Sequence, residues 1–83
     1  MQKVNNDTDA AFYASWTHTV RLESVLPLND ENGNTIAWTF ATPAAGGSLR
    51  YGWVLPDGRV SPATEDCRSG AEDYARNTIK DMT

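Results

Sequence analysis

Thr35-Ile36-Ala37-Trp38-Thr39-Phe40-Ala41-Thr42 is the stretch on which the fold turns. Ile36, Trp38 and Phe40 share one parity; Thr35, Ala37, Thr39 and Ala41 share the other. Period-2 alternation with β-branched and aromatic residues predicts a strand over 35–42 with one apolar face. The preceding Asn29-Asp30-Glu31-Asn32-Gly33-Asn34 is a polar turn. Its Asn32-Gly33 pair takes positive φ cheaply, so this is the strongest hairpin signal in the chain. After the loop Pro43-Ala44-Ala45-Gly46-Gly47-Ser48, alternation resumes over 49–55. Leu49, Tyr51, Trp53 and Leu55 face one way; Arg50, Gly52 and Val54 face the other. Pro56-Asp57-Gly58 closes a tight turn and Arg59-Val60 begins a short return strand.

Upstream, residues 12–26 also alternate. Phe12, Ala14, Trp16, His18, Val20, Leu22 and Leu26 share a parity, which predicts a long, half-buried strand ended by Pro27, which has no N–H to donate. A short N-terminal helix capped by Thr8 is the alternative reading of its start. Downstream, Ser61-Pro62 opens a helix. Ala63, Cys67, Ala71, Tyr74, Ala75, Thr78, Ile79 and Met82 recur in threes and fours and form one face of it. The expected fold is α+β, a four-stranded antiparallel meander with one C-terminal helix on one face (β-β-β-β-α). It forms a single domain over 1–83, with 1–9 a flexible segment. On this reading Trp16, Trp38 and Trp53 share the covered face with Phe12, Phe40, Tyr51, Leu49 and Leu55. Tyr13, Thr17, Thr19, Arg21, Thr39 and Arg50 share the open one.

The 83 residues carry 7 Lys+Arg against 11 Asp+Glu, a net charge of −4 with His neutral. Phosphate and anionic-membrane binding draw on surplus cations, so this balance disfavours nucleic acid and membrane surfaces and suits a basic protein partner. Met1-Gln2-Lys3-Val4-Asn5-Asn6-Asp7 has no apolar segment of a secretory signal, and one cysteine makes no internal disulfide; the expectation is a cytoplasmic protein.

Little points to catalysis. His18 reads as a half-buried strand residue bonded to a neighbour, and Cys67 as a small core residue. One Cys and one His do not make a zinc set, and the turn around Gly33 has Leu28 and Thr39 where a calcium loop needs its first and last ligands. Gly46-Gly47-Ser48 lacks the lysine of a phosphate loop. No enzyme activity, metal or cofactor is expected. The open sheet face offers Arg21, Arg50 and Tyr13 to nucleic acid, the alternative function. The outer helix face offers Glu65, Asp66, Glu72 and Asp73 to a basic site on another protein. The leading expectation is a non-enzymatic inhibitor or accessory regulator. Its size and charge resemble, as a class only, small phage or mobile-element proteins, including inhibitors of bacterial defence complexes such as CRISPR. A homodimer pairing its uncovered faces or edges is a third reading.

Overall fold

The computed structural model describes residues 2–82. In chain order it contains α1 (Asp7–Ala14), a 3-10 turn (Leu22–Ser24), β1 (Leu26–Asn29), β2 (Thr35–Pro43), a second short turn (Ala45–Gly47), β3 (Leu49–Val54) and α2 (Arg68–Asp81). The strands form a three-stranded antiparallel sheet in the order β1-β2-β3. The α+β class, the antiparallel meander and the C-terminal helix match the sequence expectation.

The hairpin between β1 and β2 is held as its composition predicts. Asp30 Oδ1 accepts the main-chain N–H groups of Asn32 and Asn34, both at 2.9 Å, and Gly33 takes φ 83°. Pro27 does not end the strand. It lies inside β1, opposite Trp38. An edge strand tolerates a residue with no N–H where no ladder bond is required, and Pro there discourages pairing with another chain.

The long strand over 12–26 is not formed. The alternative start is: α1 is capped by Asn6, whose side chain accepts the Asp9 N–H at 2.9 Å, while Asp9 Oδ2 accepts the Asn5 N–H at 3.0 Å. Asn6, not Thr8, is the cap; Asp7 and Asp9 sit in the first turn, where the helix dipole favours anions. Ala10 and Ala14 are fully buried, and their small side chains let α1 lie close on the sheet. The residues 1–9 expected to be flexible include a fixed point. The N–H groups of Lys3 and Val4 both reach Pro56 O, at 2.7 and 3.0 Å, and Val4 is buried in the core.

The fourth strand is also absent among the described residues. Residues 59–65 follow the outer edge of β3 through two isolated bridges only, Val54↔Val60 and Tyr51↔Glu65. Regular pairing fails at Ser61-Pro62. The Trp53 N–H is taken by the Ser61 hydroxyl at 2.8 Å instead of a main-chain carbonyl, and Pro62 has no N–H to give. Because its Oγ is used there, Ser61 does not cap a helix. The helix starts at Arg68, after Cys67. Cys67 is exposed, and Ala63 precedes the helix and packs on the α1 side of the sheet instead; the buried stripe of α2 reduces to Ala71 and Ala75.

The largest correction concerns the tryptophans. Trp38 pairs with Val54, and Thr39 with Trp53. Directly opposed residues share a face and consecutive residues alternate, so Trp38 and Trp53 lie on opposite sides of the sheet. Trp38, Phe40 and Val54 pack with Val4, Ala10, Ala14 and Val25 on the α1 side. Trp53, Leu28, Ala37 and Leu55 pack with Ala75 and Ile79 on the α2 side, where the Tyr74 ring meets Trp53 edge-on at 5.4 Å. Trp16 joins neither core and is 72% exposed. Helices therefore cover both faces, and β2 is buried continuously from Ala37 to Thr42. Its Thr/Ala parity, which reads as solvent-facing, instead gives α2 room to approach.

Arg68 fastens the start of α2. Its guanidinium donates to Thr39 Oγ1 (2.8 Å), Thr39 O (3.3 Å) and Ser24 O (2.9 Å), and lies 5.3 Å from the centre of the Tyr51 ring. A planar fork reaching two segments cannot be replaced by a point charge. Arg68→Lys is expected to cost about 1–2 kcal/mol and Arg68→Ala about 2–3 kcal/mol, measured by urea unfolding.

Candidate functional site

The open Arg/Tyr face expected for nucleic acid does not exist as a surface. Tyr13 is on α1, Thr17, Thr19 and Arg21 lie in the connection after it, Thr39 is buried, and only Arg50 remains on a strand with its side chain partly accessible. Arg50 is paired instead. Its Nη1 lies 3.1 Å from Asp66 Oδ1, so a residue read as a phosphate contact meets one read as a protein contact. Arg21 sits 3.9 Å from Glu23 on an exposed surface.

The four acidic candidates fall into two groups. Glu65 is half-buried and tied through its main chain to Tyr51, with N–H and C=O bonds of 3.2 and 2.9 Å. Asp66 follows it, exposed, on the Arg50 pair. Both precede α2 and do not lie on its outer face. Glu72 and Asp73 do lie on the helix; Asp73 faces Arg76 at 3.9 Å, one turn away. Ion pairs at this exposure add little stability, but they settle which charges a partner meets.

The Asp57 carboxyl is held below its ordinary value. Desolvation pushes it up, but the hydrogen bonds from the Arg59 side chain and main chain, with the Arg59 charge, outweigh that. Arg59 Nε donates to Asp57 Oδ2 at 2.8 Å, and the Arg59 N–H to Oδ1 at 3.1 Å. A depressed folded-state value contributes stability above the unfolded carboxyl's pKa and loses it as pH falls through the folded one. Arg59→Gln is expected to move the Asp57 titration upward and to reduce that contribution, the main-chain N–H at position 59 still donating, read by NMR titration of the Asp57 carboxyl.

His18 is half-buried, as expected, but in the connection after α1 and not on a strand. Its Nε2 donates to Ser61 O at 3.0 Å and its ring lies 5.1 Å from that of Phe40. Cys67 Sγ lies 3.2 Å from Ser69 Oγ at the surface. Among the described residues no group of three or more His, Cys, Asp or Glu is placed to hold a metal ion, and no helix is long and apolar enough to cross a membrane.

Sequence reasoning missed the most conspicuous surface feature. Phe12 is 57% and Trp16 72% exposed, and the two rings touch edge to face at 5.8 Å. Tyr13 meets Phe12 edge-on at 5.5 Å and stacks on Trp16 at 6.4 Å. Strand parity places Phe12 and Trp16 inside; at helical period Asp9, Phe12 and Tyr13 fall along one side of α1, and the turn after Ala14 sets Trp16 beside them. Comparison of the chain with protein-family models, with curated proteins and with solved structures finds no match.

Proposed function

We propose that this chain is a non-enzymatic, acidic protein-binding module, an inhibitor or accessory regulator that occupies a basic surface of a protein partner. By size and charge class the reading extends to phage or mobile-element regulators, inhibitors of defence complexes such as CRISPR among them. The observation that supports it is the fate of the five arginines. Arg21, Arg50, Arg59 and Arg76 each face a carboxylate, and Arg68 is spent on main-chain and hydroxyl oxygens. A net charge of −4 is therefore not relieved by a free guanidinium cluster, and Glu31 and Glu72 enter no ion pair among the described residues.

Affinity capture from the native host, followed by binding kinetics with the purified partner, tests this. Glu72→Lys/Asp73→Lys is expected to slow association roughly two- to tenfold, with the wild-type on-rate falling as salt is raised. Retention of nucleic acid alone, with an affinity that Arg21→Ala/Arg50→Ala abolishes, would falsify the reading in favour of the nucleic-acid alternative. A concentration-dependent dimer in light scattering with no other partner would favour the homodimer.

A further inference from the structure

We infer that the aromatic pair of Phe12, on α1, and Trp16, in the turn that follows it, not the acidic face of α2, is the anchor of the interface, and that it enters an apolar pocket bordered by Lys and Arg on the partner protein. The inference rests on the protein-binding reading above. Large apolar side chains exposed together mark interaction sites, and Trp, Tyr and Phe side chains dominate the centres of interfaces. Phe12 and Trp16 are held in mutual contact by the half-buried Tyr13, whose ring packs beside Gly58 and reaches the core. Two rings already fixed against a third lose little freedom on binding.

Charge decides the occupant. Exposures of 57% and 72% on side chains of about 150–250 Å² each leave roughly 300 Å² of aromatic surface. A stable interface takes about 800 Å² from each partner, so the two rings supply the centre of a contact and not the whole of it. Asp7 and Asp9 stand in the first turn of the same helix, and no basic residue stands in its last turn. A second copy would bring the same carboxylates and another net −4, whereas a pocket with a cationic rim meets both features.

The test is site-specific photo-cross-linking in the full chain. One variant carries Phe12→p-benzoylphenylalanine and another Glu72→p-benzoylphenylalanine, each irradiated in native-host extract and the joined peptides sequenced by mass spectrometry. The expected result is a cross-link from position 12 to a protein segment with Lys or Arg flanking apolar residues, its yield falling about tenfold or more when Trp16→Ala is added, with circular dichroism unchanged. Joining at 12 to a second copy, to lipid, to nucleic acid or to a segment without cations overturns the inference, as does an unchanged yield with Trp16→Ala. A partner joined from 72 but not from 12 overturns the inference and leaves the protein-binding reading standing. No joining from either position removes both.

Discussion

Gly52→Ala is expected to destabilise the protein by about 3 kcal/mol, lowering the melting temperature by about 12–24 °C. The reason is a close approach, not a special backbone angle. A Cβ at position 52 would stand 2.7 Å from Phe40 Cζ and 2.8 Å from Ser61 Oγ. Phe40 is the cross-strand neighbour of Gly52, its ring lies over the glycine, and it is fully buried with nowhere to move. Ser61 Oγ accepts the Trp53 N–H, so displacing it strands a buried donor as well. Overpacking and a broken buried hydrogen bond therefore act together. A thermal melt followed by circular dichroism measures the effect. Adding Phe40→Leu to Gly52→Ala is expected to recover part of the loss, because the shortened side chain vacates the space; non-additivity is the signature of contact between the two sites. A melt unchanged by Gly52→Ala would contradict this packing.

Phe40→Ala is expected to be the most damaging single truncation, at about 4 kcal/mol. Phe40 is fully buried where α1, the His18 ring and the centre of β2 meet. Its loss leaves a cavity that Gly52, opposite, has no side chain to fill. Domains of this size have about 4–12 kcal/mol of stability in total, so the variant is expected to lose from about a third to all of it. Denaturant unfolding of the variant beside Trp16→Ala separates the two roles of aromatic residues here. Trp16, mostly exposed, is expected to cost less than about 0.5–1 kcal/mol.

The turn, β2, β3 and the C-terminal helix were legible as elements, but the register that sets Trp38 and Trp53 on opposite faces was not, because alternation within each strand does not say how two strands align. Asn32-Gly33 takes the positive φ its turn needs, β2 and β3 alternate with unambiguous period, and Ala71, Ala75 and Ile79 keep helical spacing into the C-terminal helix. Residues 12–26 were not legible because two periods coincide there. Phe12, Ala14 and Trp16 alternate, but Ala10, Ala14 and the pair Phe12/Trp16 also fall on opposite sides of a helix, and helix won once Asn6 and Asp9 closed its first turn. That choice emptied the proposed nucleic-acid face, since Tyr13 and Arg21 left the sheet. It also turned Phe12 and Trp16 outward. The double burial of β2 was hidden for a different reason. Thr and Ala at 35, 37, 39 and 41 have the composition of an exposed strand face, and Thr35 is exposed; the docking of α2, fastened by Arg68 to Thr39, and of Ser24 on Ala41 makes 37, 39 and 41 interior. The acidic candidates were visible as residues, but their partners were not. The Arg50–Asp66 pair joins a strand to the segment before a helix, and no spacing in the chain announces it.

Helices pack on both sides of the sheet, with Trp38 under α1 and Trp53 under α2. Nuclear Overhauser contacts from the two buried indoles test this most directly. The Trp38 ring is expected to show contacts with residues of the α1-side cluster such as Val4, Ala10 and Ala14, and the Trp53 ring with Tyr74 and Ala75 of α2. Both indoles reporting on the same helix would contradict it.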